Sequence, residues 1–219
     1  MNNQYLYEIV KEPWRIFRIM AEFVEGFEDL SQIGPAVTMM GSSRAQDDDP
    51  EYRMAEEIAH LMVEAGYGVI TGAGPGIMEA SNKGAMKAKG VSVGLNIELP
   101  LQQKPNDYLT RLIEFKFFFT RRVMFLKYAK ALIFLPGGYG TLDEFFEAVT
   151  LFQTQKVRRL PILLVGKDYW GSLVEWMKVN LLNKGRISDK DLELFMVVDK
   201  PIEVLEKIRE FYRKEGSLE

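Results

Sequence analysis

Short apolar runs, each cut off by a turn or a glycine loop and each followed by a segment of helical period, recur along this chain. "AVTMMGSS" (36–43) has the pattern of a buried strand. "DPEYRMAEEIAHLMVEAG" (49–66) follows as a helix, with Asp48 or Asp49 available as N-cap and Gly66 at its end. The alternation continues with strand "YGVITGAG" (67–74), helix "GIMEASNKGAMKAKG" (76–90), strand "VSVGLNIEL" (91–99), a polar loop "PLQQKPNDY" (100–108) and strand "LTRLIEF" (109–115). Then come helix "FFFTRRVMFLKYAK" (117–130), strand "ALIFLP" (131–136), helix "TLDEFFEAVTLFQTQK" (141–156) and strand "LPILLVG" (160–166). The chain closes with helix "YWGSLVEWMKVNLL", a short helix near "SDKDLELF", strand "MVVD" and helix "PIEVLEKIREFYRKE". The last fifteen residues read as a surface helix with a frayed end.

Strands alternating with helices of this length predict parallel pairing through right-handed crossovers. Continuous apolar character in "ALIFL" and "PILLV" suits strands covered on both faces. The expected fold is α/β: a Rossmann-like three-layer α/β/α arrangement with a mostly parallel central sheet. It is read as one domain over 1–219, with a leading helical segment (1–33), a core (34–200) and a C-terminal helix (201–219). In the leading segment, Trp14, Phe17, Ile19, Met20, Phe23, Val24 and Phe27 recur at helical spacing, and Pro13 stands where a helix would begin.

Composition narrows the chemistry. There is no cysteine, which excludes disulfides, thiolate catalysis, thiolate zinc sites and iron–sulfur clusters. The single histidine, His60, excludes histidine-rich metal sites and reads as a structural mid-helix residue. A net charge of −3 speaks against a general nucleic-acid binder. With no signal-peptide pattern at the start and no 18-residue apolar run, a cytoplasmic protein without a membrane span is expected.

Three loops stand at the carboxyl ends of parallel strands, where open α/β sheets bind ligands: "GSSR" (41–44), "TGAGPGIME" (71–79) and "PGGYGT" (136–141). Glycines let the backbone approach a ligand, and the amides opening the next helix lack intrahelical partners, so loop and helix dipole together make an anion site. Gly137, Gly138, Tyr139, Gly140 and Thr141 are the expected phosphate cradle, with Thr141 able to cap the helix or to meet the phosphate. Ser42, Ser43, Arg44, Gly72, Gly74, Gly76 and Arg122 are weaker nucleotide-binding candidates. Glu144, one turn beyond the cradle, can face a sugar, whereas Asp143 points about 100° away. Ile77 occupies the third glycine position of a dinucleotide fingerprint, leaving only Glu98 at a strand end to favour NAD. Neither glycine loop is followed by Lys-Ser or Lys-Thr, which excludes a P-loop.

"PGGYGTLDE" resembles the P-G-G-x-G-T-x-x-E signature of the LONELY GUY family of cytokinin riboside 5'-monophosphate phosphoribohydrolases, long labelled lysine decarboxylases. The resemblance covers roughly 35–200 and includes "GSSR", "GAGPGIMEA", "TRRVMFLKYAKALIFLPGGYGT" and "VTLFQTQK". It implies a catalytic pair, here Glu144 and Arg121, and use of the P-G-G-x-G-T amides for the 5'-phosphate. It also implies a homodimer or larger assembly with the active site near the subunit contact, for which the cluster Phe115, Phe117, Phe118 and Phe119 is a candidate interface. Phe119 stands where plant-type members have histidine, and Ala73 and Glu79 depart from their glycine loop, which bears on base preference. The activity so implied is cleavage of the N-glycosidic bond of a nucleoside 5'-monophosphate, AMP or an N6-substituted AMP, without cofactor or metal. The competing reading is a non-catalytic nucleotide or cofactor carrier of the same fold. A decarboxylase would need a Schiff-base lysine beside an active-site motif, and none is present.

Overall fold

Strands β1 (Ala36–Met40), β2 (Gly68–Thr71), β3 (Ser92–Ile97), β4 (Arg111–Phe115), β5 (Ala129–Phe134), β6 (Ile162–Val165) and β7 (Phe195–Val198) form one sheet in the order β4-β3-β2-β1-β5-β6-β7. Every neighbouring pair is parallel. The computed structural model describes residues 3–99, 104–214 and 216, with side chains from residue 14 onward. The chain steps outward from β1 to β4, then returns to the other side of β1 and runs on to β7. The order therefore reverses between β1 and β5, where the carboxyl ends of an open parallel sheet leave a crevice.

The helices are α1 (Asn3–Leu30), α2 (Pro50–Glu64), α3 (Ile77–Lys87), α4 (Phe118–Lys127), α5 (Tyr139–Gln153), α6 (Lys167–Met177), α7 (Asp189–Leu192) and α8 (Pro201–Lys214), with a π-helical turn at Lys178–Leu182. Alternate strand residues enter two cores. Val37, Val69, Ile133 and Leu163 meet Ile58, Met62, Ile77 and Ile208 of α2, α3 and α8 on one face. Ile70, Leu132, Phe134 and Leu164 meet Phe125, Phe145 and Trp170 of α4, α5 and α6 on the other. Burial on both faces is why these strands read as unbroken apolar runs.

Phe145 fixes α5. Its ring centroid lies 5.7 Å from Phe134, 5.6 Å from Trp170 and 5.4 Å from Phe195, so the helix is pinned at the residue after Glu144.

Three expectations require correction. The leading helix begins at Asn3 and runs through Pro13, so that proline interrupts one hydrogen bond within a helix instead of opening it. Helix α5 begins at Tyr139, two residues before Thr141, and Gly138 is its N-cap. Asp143 and Glu144 therefore sit in its second turn. The C-terminal helix is no loose surface element: Val204, Leu205, Ile208 and Tyr212 of α8 are buried. The expected frayed end, 215 and 217–219, lies outside the described residues.

Candidate active site

The loops after β1, β2 and β5 are stitched together through the backbone. Ser42 N–H donates to Pro136 O at 2.9 Å, and Ile77 N–H donates to Ser42 O at 2.9 Å. Gly76 takes φ +68°, and a β-carbon there would stand 2.4 Å from Ser42 O, so the contact needs glycine on both counts. A cleft of about 870 Å³ opens over this junction at the β1/β5 switch point. Its wall includes Ser42, Ser43, Arg44, Gly72, Arg121, Glu144 and the whole 137–141 segment. Gly74, Gly76 and Arg122, also singled out in the sequence, do not line it. Gly74 and Gly76 hold the loop, and Arg122 faces the adjoining groove.

No side chain caps α5, and its first intrahelical bond is Leu142 N–H to Gly138 O at 3.1 Å. The amides of 139–141 precede that bond, and the helix dipole concentrates positive potential there. A β-carbon on Gly137 would collide with Thr141 Oγ1 at 2.1 Å, whereas β-carbons on Gly138 and Gly140 would meet nothing within 4 Å. Gly137 serves packing, and Gly138 and Gly140 keep the approach to the amides clear. Thr141 is buried within the first turn and is not the N-cap. Tyr139 is 93% exposed at the loop tip, so its contribution to an anion site is its backbone.

Arg121 is buried at the start of α4. Its Nε donates to Leu95 O at 2.7 Å, its Nη2 donates to Gly72 O at 3.3 Å, and its guanidinium lies 4.9 Å from the Phe125 ring centroid. Two of the five guanidinium hydrogens are thus committed to carbonyls, leaving three for a ligand. Burial draws its pKa down, Glu144 opposes that, and Arg122 adds to it.

Glu144 is half-buried, and its carboxyl pKa is pushed up to about 7. Desolvation dominates; the positive charge of Arg121 pulls the other way, and Asp143 and Glu147 add repulsion. No hydrogen bond or ion pair joins Arg121 to Glu144 among the described residues, so their coupling is through space. Arg122 instead bridges Asp143 at 2.9 Å and Glu147 at 3.3 Å, which locks α4 to α5 on either side of Glu144. Glu144 also borders a second groove of about 690 Å³ between α4 and α5, shared with Arg122 and Glu147.

Several parts of the site had no local sequence signal. Tyr169 Oη donates to Gly137 O at 2.5 Å from α6, and Met78, Ile97, Leu99 and Phe118 give the cleft an apolar side. Ala73 adopts φ +65°, held by its N–H to Thr71 Oγ1 and by Asn106, which donates to its carbonyl from both backbone and side chain. Other candidates lie elsewhere. Glu98 is exposed and paired with Lys116, His60 is half-buried beside Glu64, and Phe115 is core, although Phe118 and Phe119 are exposed.

A seven-stranded parallel sheet with a glycine loop, uncapped helix amides, a buried arginine and a desolvated carboxyl at its switch point defines a Rossmann-like α/β protein. The family described as "Possible lysine decarboxylase" matches residues 78–208, and the chain belongs to it, the family of the LONELY GUY proteins. A protein of Archaeoglobus fulgidus, itself uncharacterised, is 35% identical over 123 residues, 54% of this chain and 78% of that one. A cytokinin riboside 5'-monophosphate phosphoribohydrolase of Mycobacterium tuberculosis is 30% identical over 154 residues, 67% of this chain and 79% of that one. A pyrimidine/purine nucleotide 5'-monophosphate nucleosidase of Escherichia coli is 26% identical over 144 residues, 59% of this chain but 32% of its own length. The chain thus spans about a third of that relative. The molybdenum cofactor binding protein of Rippkaea orientalis has the same fold, with a TM-score of 0.62 at 21% identity over 81% of this chain and 96% of that one.

Proposed function

We propose that this protein hydrolyses the N-glycosidic bond of a nucleoside 5'-monophosphate, releasing free base and ribose 5-phosphate. The observation that carries the reading is a carboxyl near pKa 7, in the same cleft as a buried arginine and one turn beyond uncapped helix amides. The activities for which the Mycobacterium tuberculosis and Escherichia coli relatives are named support it.

In the proposed mechanism the 139–141 amides hold the 5'-phosphate, and Arg121 spends its free N–H groups on the ribose or phosphate. Glycosidic bonds of this kind break through an oxocarbenium-like transition state. Ionised Glu144 stabilises that cation and takes a proton from the attacking water, whose oxygen bonds to the anomeric carbon; the base departs with the bond pair and takes a proton from solvent, and Glu144 returns its own to solvent. Phosphate binding then supplies remote binding energy to the reacting centre, so free nucleosides react far more slowly than monophosphates. Among the described residues lining the cleft none is a lysine, so it offers no Schiff-base partner for a decarboxylase.

Self-association belongs to the same proposal. Trp14, Phe17, Met20 and Val24 are each more than half exposed on one side of α1, which favours a homo-oligomer. Light scattering on the purified chain tests that part.

Chromatography of AMP, GMP, CMP, UMP and an N6-substituted AMP incubated with the protein tests the chemistry, with Glu144→Gln as control. Base released by the wild type alone supports the hydrolase. Nucleotide bound and recovered intact in every case overturns it and leaves a carrier.

A further inference from the structure

We infer that Glu22, on the leading helix, is a positioning residue for Arg121, and that α1 is thereby a working part of the active site. The inference rests on the hydrolase reading above for its kinetic consequences, but its structural basis is independent of it. Glu22 lies on α1, outside the 78–208 stretch that matches the family.

A carboxylate buried to 9% exposure needs partners, and Glu22 finds all of its recorded ones at the start of α4. Its Oε1 accepts Lys116 N–H at 2.8 Å, its Oε2 accepts Phe117 N–H at 3.4 Å, and Thr120 Oγ1 donates to Oε2 at 2.6 Å. Helix α4 has no cap from its own side chains: its N-cap residue is Phe117, which cannot bond the free amides. Glu22, more than ninety residues away in the chain, does not reach those amides but holds the two just before them and the Thr120 hydroxyl, which fixes the entry into the helix and places a negative charge at its N-terminus, where the dipole favours one. Arg121 follows Thr120 directly.

The rest of α1 reinforces this seat. A β-carbon on Gly26 would stand 2.7 Å from Met124 Cε, and Arg15 lies over the Phe117 ring at 5.5 Å. The far end of Arg121 is fixed by Leu95 O and Gly72 O. Its backbone N–H donates to Phe117 O at 3.3 Å, and Phe117 and Thr120 are in turn held by the carboxylate of Glu22. Neither anchor alone sets where the guanidinium sits.

The phosphate cradle stands on α5, pinned by Phe145, so it does not depend on Glu22. Loss of Glu22 shifts Arg121 without removing it, and is therefore expected to lower kcat for AMP far more than it raises KM. Glu22→Ala is expected to lose about 10- to 100-fold in kcat, the scale of a misplacement near 1 Å, with KM changed less than about threefold. Glu22→Gln keeps one acceptor oxygen and is expected to recover most of the rate. A Glu22→Ala variant with kcat within about twofold of wild type overturns the inference, as does an equal loss in the two variants. Should Glu22→Ala fail to fold, Thr120→Val carries the test, with about a threefold fall in kcat expected and a wild-type kcat overturning the inference. Should the wild type release base from no nucleotide, the hydrolase reading has failed on its own. Modification of Arg121 by phenylglyoxal, located by mass spectrometry, then decides: faster labelling in Glu22→Ala or Thr120→Val than in wild type supports the inference, and equal labelling overturns it.

Discussion

The Nη2 atom of Arg121 donates to the carbonyl of Gly72 at 3.3 Å, and a β-carbon on Gly72 would stand 2.2 Å from that same nitrogen. The absence of a side chain at 72 is therefore what lets the guanidinium lie in the cleft. Gly72→Ala would also press on Met78 Sδ at 2.7 Å. Both neighbours are side chains that can swing away, so the fold is expected to survive with Arg121 displaced. The expected result is a fall in kcat of about 10- to 100-fold with a melting temperature within a few degrees of wild type. A fully active Gly72→Ala enzyme would separate Arg121 from the chemistry.

The carboxyl of Glu144 makes a prediction about pH. Its folded pKa, about 7, lies above the ordinary 4.5 because burial disfavours the charge. Stability from this group is fully present below the unfolded pKa and is lost as pH rises through the folded one. Ionising it in the folded protein costs up to about 3 kcal/mol. Glu144→Gln removes that cost, so the variant is expected to melt close to wild type near pH 4.5. At pH 8.5 it is expected to melt on the order of 5 °C higher. Calorimetry at the two values checks this, and a constant difference between them would contradict it. The same group predicts that kcat/KM rises with pH through a midpoint near 7, as the carboxylate form becomes available.

Two neighbouring glycines separate packing from ligand approach. At 137 a methyl group would collide with Thr141 and come within 3.1 Å of the Gly41 carbonyl carbon, so Gly137→Ala is expected to destabilise the protein by about 1–3 kcal/mol. At 138 a methyl meets nothing within 4 Å, and φ is −97°, a value alanine tolerates. Gly138→Ala is therefore expected to fold with wild-type stability yet bind AMP at least about tenfold more weakly, since the methyl occupies space a phosphate needs. Titration calorimetry measures it. Unchanged affinity would move the phosphate off these amides.

How much of this could be read from the chain follows from how far apart the interacting groups are. Strands β1, β5 and β6 were legible because every residue between 131 and 135 is buried on one face or the other, which leaves an unbroken apolar run. Parallel pairing followed from the alternation, but the order of the strands, and with it the crevice between β1 and β5, is set by long-range pairing that the alternation does not specify. The start of α5 was misplaced because Gly-Tyr-Gly reads as loop, although Tyr139 and Gly140 are already helical and no side chain caps the helix. Glu144 was singled out by its place one turn beyond the glycine loop, and the choice of Arg121 over Arg122 came from the family signature. Their environments were not legible, because the carbonyls that hold Arg121 come from β3 and the β2 loop, and Glu22 comes from the leading helix. A single apolar or acidic residue on a helix carries no mark of such a distant partner. The division of the two adjacent arginines, one into the cleft and one against Asp143 and Glu147, was likewise invisible in the letters.

That division yields a last test. Arg122 makes ion pairs with Asp143 at 2.9 Å and with Glu147 at 3.3 Å, and its charge also lowers the pKa of Glu144. Asp143 and Glu147 each raise that pKa, and Arg122 now stands against both of them. Replacing it with glutamine removes one stabilising charge and releases two opposing ones, so the Glu144 midpoint must rise. The pairs are partly exposed, so their loss is expected to cost no more than about 1 kcal/mol of stability. Arg122→Gln is therefore expected to lose activity near pH 6 and to regain most of it near pH 9, with the midpoint of kcat/KM displaced upward. Arg121→Gln raises the same midpoint but also removes the ligand's own donors, so its activity is expected to stay low across the whole range. A pH–rate profile of the two variants beside wild type distinguishes them. If Arg122→Gln were as inactive as Arg121→Gln at every pH, the second arginine would be acting on the substrate directly instead of through the charge on Glu144.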